Sequence, residues 1–221
     1  MAPTALGHVA VVAADLPAHR GEPGAAVADA LARAAATARA AFAAVPALRA
    51  FSFCSPAIDR LAGGAPDAAA GRARVDGGRA LLAAAVELGA ELRLCGRVDG
   101  LPAALRGCAR PAPPGAERAL LWFLDYGGRD EIVRAAGRFL RAHPDRDLAD
   151  DELDAWLDTA GVPDPDLLIH VGGPLEPHDA LLWQGSYAEI WHTPAPWAEF
   201  TADDLHRALA DYAERQRRFG R

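Results

Sequence analysis

Residues 166–200 read DLLIHVGGPLEPHDALLWQGSYAEIWHTPAPWAEF. Leu167, Leu168 and Ile169 form a short apolar run with strand character, closed by the pair Gly172-Gly173 and a proline-rich polar loop. A second apolar block, Ala180 to Trp191, follows and carries two isolated polar side chains, Gln184 and Glu189. Three of the five tryptophans fall here, so much of the heaviest apolar mass belongs to this third of the chain. A strand that ends in glycines and runs into an apolar element sets polar groups at the carboxyl edge of a sheet, where open α/β sheets bind ligands. The rest of the chain reads as scaffold for that edge, or as the other half of a site built on it.

Toward the N-terminus, four more short apolar runs have the pattern of buried parallel strands: His8 to Ala13, Leu48 to Cys54, Glu91 to Cys95 and Ala119 to Leu124. Helical patterns separate them. Ala25 to Val45 is alanine-rich and stopped by Pro46, Gly77 to Leu88 is stopped by Gly89, and a short one spans Gly100 to Cys108. Asp130 to Ala142 carries Asp130 and Glu131 in its first turn, where the helix dipole favours carboxylates. A short acidic helix is expected from Asp147 to Asp158, and a last one begins at Thr201, an N-cap with Asp204 three residues on. Strands alternating with helices over residues 1–221 predict one α/β domain, with a mostly parallel central sheet flanked by helices.

The 221 residues are 51% hydrophobic and 24% charged, a composition that folds rather than one that stays disordered. A formal charge of -7 argues against a reader of nucleic-acid phosphates. Cys54, Cys95 and Cys108 have no CxxC spacing, which points to a reducing compartment and no zinc site. Neither a membrane span nor a secretory signal is apparent, so a cytoplasmic location is expected.

Several residues invite chemistry. Tyr126-Gly127-Gly128-Arg129 lies between a strand and a helix. Its glycines would let the backbone approach a phosphate, with Arg129 on the anion, or simply make a tight turn against a neighbouring loop; GxGxxG is absent. Glu189 in an apolar block is either a metal ligand or paired with a residue of an adjacent helix. His170, His178 and His192 match no zinc pattern. Asp15 with His19 and Arg20 is a small polar cluster or a solvated loop. The basic end, Arg215 to Arg221, is either a solvated terminus or a tail that meets a diphosphate on a partner.

These pieces, in this order, resemble the cis-prenyltransferases, the undecaprenyl diphosphate synthase family. The resemblance rests on HVAVVA (8–13), YGGRDEIV (126–133), DLLIHVGG (166–173), LLWQGSYAEIWHT (181–193), WAEF (197–200) and RRFG (217–220). It implies helices and a sheet around a hydrophobic tunnel, a dimer through the C-terminal region, and condensation of isopentenyl diphosphate with an allylic diphosphate in the presence of Mg2+. It further implies substrate contacts at Arg60, Arg129, His170 and His178, and a metal carboxylate at Glu189.

The departures fall on the anion sites. Active members carry a motif like HxAxxMDGNGRWA, and its aspartate position here is Ala14, with Asp15 one residue late. The Gly-Asn-Gly-Arg cradle has become Asp15-Leu16-Pro17-Ala18, which removes the permissive backbone and the cation. Downstream diphosphate-binding Arg and His fall at Glu22 and Ala26. The pattern RxxGExRxS has His170, Glu176 and His178 where Arg, Arg and Ser belong. The terminal RxG survives as Arg218-Phe219-Gly220.

In two-component members, one subunit keeps the aspartate and the other donates that motif, and this chain is similar to the second. The expectation is a non-catalytic activating subunit, inactive alone. It would join a catalytically complete partner, share isoprenyl diphosphates and Mg2+ at the common site, and make peripheral contact with membrane. Two alternatives stand: a divergent homodimeric prenyltransferase or terpene-type synthase using Asp15, Arg20, Glu189, His170 and His178, and a non-enzymatic scaffold for a partner or lipid.

Overall fold

The structure is a computed structural model that describes residues 6–15, 24–55, 68–175 and 179–215. Six strands form one sheet in the order β3-β4-β2-β1-β5-β6. They are β1 (His8–Ala13), β2 (Ala50–Cys54), β3 (Glu91–Gly96), β4 (Ala119–Leu124), β5 (Leu167–Val171) and β6 (Glu189–Thr193), and every neighbouring pair is parallel. β1, β2, β4 and β5 are buried at every position, which is why their sequences are continuous apolar runs instead of alternating ones.

Val9, Val11, Phe51, Phe53, Trp122 and Ile169 face a large core closed by α1 (Gly24–Ala44), α2 (Ala68–Glu87) and α5 (Ala202–Glu214). Ala10, Val12, Leu121, Phe123 and Leu168 face the opposite side, where Ala180 and Leu181 cover them. Beside that second layer, α4 (Gly128–Ala142) packs Ala135 against Leu153 and Leu157. Cys54, Cys95 and Cys108 are buried and form no disulfide among the described residues. Among the described residues, no helix is long and apolar enough to cross a membrane.

Four elements differ from the sequence expectation. α2 begins at Ala68, nine residues before Gly77. The run GRARVDGG looks like a breaker, yet a Cβ on Gly77 would lie 2.5 Å from Leu31 and one on Gly78 would lie 2.8 Å from Trp122. These glycines let α2 press against α1 and the sheet, and that packing outweighs their poor helix propensity. The segment from Ala180 to Trp191 is not one element: turns occupy 181–187, and Glu189 opens the sixth strand. The acidic segment forms a 3-10 helix, Asp150–Trp156, and the Gly100–Cys108 pattern shortens to α3 (Ala103–Arg106) behind a 3-10 turn at Val98–Gly100. The Thr201 cap is present as a full capping box, with Thr201 N–H donating to Asp204 Oδ2 at 2.9 Å.

At the amino edge of the sheet, a buried imidazole makes stability depend on pH. His8 Nδ1–H donates to the Pro163 carbonyl at 2.6 Å, so Nε2 accepts from Ser52 Oγ at 2.8 Å. Burial pushes the His8 pKa down to about 4, against smaller raising effects from Pro163 and Asp166. The unfolded chain binds this proton near pH 6.5 and the folded chain does not. The contribution of His8 is therefore whole above pH 6.5 and is lost as pH falls toward 4, amounting to about 3 kcal/mol. Asp164 works the other way: burial and the neighbouring Asp154 and Asp166 lift its pKa to about 6, so its unfavourable ionisation is relieved in the same window. Urea unfolding of Asp164→Asn at pH 7.5 and pH 5 should expose the His8 effect as a clear loss. A His8→Gln change on that background should flatten it, and an unchanged pH dependence in His8→Gln would remove His8 as the cause.

Candidate functional site

The carboxyl edge of the sheet gathers the ends of β1 and β5. Ala14 N–H donates to Val171 O at 2.8 Å, continuing the strand pairing into the position where the cradle would begin. Asp15 follows, and both its carboxylate oxygens accept from Trp197 N–H at 3.1 Å. Gly172 passes directly over that carboxylate: it has φ +91, and a Cβ there would lie 2.2 Å from Asp15 Oδ1. Trp197 is wholly buried and donates its indole N–H to Ala30 O at 3.1 Å. It also stacks on Phe200 with centroids 5.2 Å apart. Asp15 therefore straps β1, β5 and the 3-10 turn Trp197–Glu199 together. The alternative in which Asp15 acts as the reacting carboxylate meets a side chain already committed to the fold.

The glycines before α4 do bring backbone close to something, and it is a neighbouring loop. Asp179 O accepts from Gly128 N–H at 2.9 Å and Asp179 Oδ1 accepts from Arg129 N–H at 3.0 Å. A Cβ on Gly127 would lie 2.6 Å from Asp179 Oδ2. The first turn of α4, where a phosphate would be welcome, already holds a carboxylate. The Arg129 side chain is exposed beside it.

His170 is buried on β5, opposite Val12 on β1 and His192 on β6, with the two imidazole rings 5.3 Å apart. His192 Nε2–H donates to Gly173 O at 3.0 Å. Glu189 lies elsewhere. It pairs with Leu167, which pairs with Val9, four residues back along β1 from Ala13. That offset is about 13 Å along the strand direction. Its carboxylate accepts from Arg215 Nη1 at 3.1 Å.

The structure thus does not bring Glu189, Asp15 and His170 into one centre. Among the described residues no group of three His, Cys, Asp or Glu could hold a metal ion. With Glu189 paired to Arg215 and Ala14 lacking a carboxylate, these residues do not fit a Mg2+ site within the single chain. Arg60, His178, Arg218 and Gly220 lie outside the described residues, as do Arg20, Glu22 and Glu176. Ala26, on α1, is exposed.

A polar network beside the edge was not expected from the sequence. Glu131, with no exposed surface, accepts from Tyr126 O–H at 2.6 Å, Gln184 Nε2 at 3.0 Å and Asp158 N–H at 2.9 Å. Burial pushes the Glu131 pKa up, while the Gln184 and Tyr126 hydrogen bonds pull it back. Asp158 in turn accepts from Arg134 at 2.7 and 3.1 Å, from Arg138 at 3.2 Å and from Gly96 N–H at 2.9 Å. The signals were present: Gln184 alone in an apolar block, and Asp130, Arg134 and Arg138 at helical spacing. The network ties α4 to β3 and to the 181–187 turns. The Glu131 and Asp158 carboxylates are engaged with protein donors, while Gln184 Oε1 is buried with no hydrogen-bond partner among the described residues, and the network is structural.

Comparison with known proteins places these features in context. Residues 78–220 match the family described as "Putative undecaprenyl diphosphate synthase". An isoprenyl transferase of Rhodopirellula baltica is 46% identical over 106 residues, covering 46% of this chain and 43% of that protein. One from Aquifex aeolicus is 36% identical over 138 residues, covering 61% and 59%. The chain thus spans about half the length of the curated relatives it matches.

Among solved structures, lavandulyl diphosphate synthase from Lavandula x intermedia, in complex with dimethylallyl diphosphate, superposes with TM-score 0.74 at 22% identity, covering 97% of this chain and 98% of that one. A probable undecaprenyl diphosphate synthase from Campylobacter jejuni gives 0.65 at 21% identity, covering 98% and 99%. At that identity the likeness is one of fold.

Proposed function

This chain belongs to the undecaprenyl diphosphate synthase family, the cis-prenyltransferases, and from that premise we propose that it is the non-catalytic activating subunit of a heteromeric enzyme. The complex condenses isopentenyl diphosphate with an allylic diphosphate. The partner supplies the first-strand aspartate, the tunnel, the Mg2+ and most phosphate contacts. This chain supplies a docking face within 181–200 and the terminal Arg218 and Gly220.

The observation that carries the reading is the carboxyl edge itself. Departure of a diphosphate is helped by cations and N–H donors aimed at the developing charge. Here the edge offers Ala14, an Asp15 carboxylate bound to Trp197 N–H, and an Asp179 carboxylate on the first turn of α4. Two carboxylates where anions must bind repel the substrate. Arg215, just past the end of α5, lies beside Glu189 and away from that edge. Tyr187 at 69% exposure and Ile190 at 46% give the 181–200 segment the apolar surface that a partner would cover.

The test is product formation from isopentenyl and farnesyl diphosphates with Mg2+. The purified chain is expected to be inactive. Co-expressed with the homologue from the same genome that retains the first-strand aspartate, it should raise that protein's turnover. Arg218→Ala should lower the raised rate by about 100-fold, the size expected for one lost charge-stabilising donor. Robust turnover by this chain alone would instead favour a homodimeric prenyltransferase. No turnover in any combination would favour a scaffold.

A further inference from the structure

We propose that the outer edge of β3 is a docking site for the carboxyl terminus of a partner polypeptide that ends in an apolar residue. β3 and β6 are the two edge strands of the sheet, so this surface lies on the far side from the 181–200 segment and does not depend on the heteromeric reading. A groove of about 400 Å3 follows the edge, and its lining includes Leu92, Leu94, Val98, Arg106, Arg110 and Pro111. That volume is in the range of small-ligand pockets and suits the end of a chain better than a folded element.

The backbone of β3 shows how much of the edge is open. Glu91 N–H donates to Arg118 O at 2.9 Å, so the peptide groups of Glu91, Arg93 and Cys95 turn toward β4. Those of Leu92, Leu94 and Gly96 therefore turn outward. Leu92 is covered, because it exchanges two bonds of 2.9 Å with Arg110 in an antiparallel bridge. Gly96 N–H donates to Asp158 Oδ2 at 2.9 Å. Between them, Leu94 N–H and C=O have no partner among the described residues. Unpaired groups at a sheet edge are a template for another chain. With Arg110 on one side and Asp158 on the other, the open stretch is too short for a strand to run through. It suits a terminal residue, which needs one backbone pair, one side-chain pocket and a donor for its carboxylate.

Charge decides which end of a chain fits. Arg106 and Arg110 stand on the rim, and each guanidinium donates to backbone carbonyls: Arg106 to Asp99 O and Leu101 O, Arg110 to Ala85 O and Ala90 O. Neither has a carboxylate partner among the described residues. The acid in the lining, Glu91, is already bound by Arg93 through two hydrogen bonds of 2.9 and 3.0 Å. On a chain of net charge -7, this rim therefore favours an anion. Arg106 is the more exposed of the two and engages its carbonyls through Nη1 alone, which leaves Nε and Nη2 for a planar fork on a carboxylate. Leu92, Leu94, Val98 and Pro111 supply the apolar surface for the last side chain.

The probe is a pool of acetylated tripeptides varied at the last two positions, offered once with a free carboxylate and once amidated. Amide NMR spectra of the full chain are expected to show the Leu94 and Val98 signals moving with the free-acid pool and standing still with the amidated one. Members that end in an apolar residue should bind most tightly. Arg106→Gln should weaken the best of them about tenfold, the size of one lost charge-assisted contact. Arg49→Gln, which removes an exposed guanidinium outside the groove, should leave that affinity unchanged. If Arg106→Gln does not fold, Leu94→Pro decides. It removes an N–H that takes no part in the β3–β4 ladder, and binding should be lost. Equal responses to the acid and amidated pools would overturn the proposal. So would a Leu94 signal that neither pool moves, or an affinity that survives Arg106→Gln intact.

Discussion

Glu131→Ala is expected to lower the unfolding free energy by about 4 kcal/mol, enough to leave a chain of ordinary stability largely unfolded at modest urea. The side chain has no exposed surface and collects three donors: Tyr126 O–H, Gln184 Nε2 and Asp158 N–H. Alanine strands all three where water does not reach, at about 1–3 kcal/mol for each buried group left unsatisfied. It also opens a cavity under the 181–187 turns. Tyr126→Phe removes one donor and leaves the carboxylate two, so its loss should be near 1 kcal/mol. Urea titrations of the three proteins give the comparison. A Glu131→Ala midpoint within error of the parent would show that the network is solvated and carries little.

The second large effect belongs to a backbone position. Gly96 closes β3 with φ +114, and a Cβ there would lie 1.9 Å from the Leu124 carbonyl oxygen and 2.9 Å from its carbon. Both obstacles are backbone of the adjacent β4, so no rotamer change relieves them. Gly96→Ala must spread the β3–β4 pair or break the bond from Gly96 N–H to Asp158, and a loss of about 3 kcal/mol or more is expected.

Two other glycines calibrate the result. Gly89 has φ +63 and open space around it, so alanine there meets only the conformational penalty of about 1 kcal/mol. Gly100 has neither a positive φ nor a neighbour within 4 Å, so its alanine variant should be neutral to within about 0.5 kcal/mol. The order Gly96, Gly89, Gly100 in thermal midpoint loss is the check. A Gly96→Ala protein as stable as Gly100→Ala would mean that β3 and β4 do not approach as described.

Much of the architecture was legible. The continuous apolar runs of β1 and β4 have the bounds their sequences suggest, because strands covered on both faces need no alternation to be recognised. Thr201 with Asp204 marked the start of α5 because a capping box is a local pattern. β6 was hidden: EIWHT follows LLWQGSYA without a break, and only tertiary pairing with β5 separates turn from strand. The start of α2 was hidden because its glycines serve contacts with Leu31 and Trp122, far away in sequence.

For the site, the departure from the family motif at 14–18 is visible in the residue identities alone. The contacts made at that edge are not. Asp15 meets Trp197 across 182 positions and Asp179 meets Arg129 across 50, and nothing local to either aspartate announces those contacts. Pairing of Glu189 with Arg215 was likewise a matter of where α5 ends.

The Asp15 strap has a corollary. A carboxylate placed at position 14 would leave the strap intact, because position 15, a glycine in the family motif, holds an acid that the protein relies on. Restoring that glycine would take both acceptors from the Trp197 N–H, at the turn that carries a fully buried indole. Restoring the glycine would therefore give a less stable protein. The carboxylate at position 15 thus has a mechanical job, and the fold resists its removal.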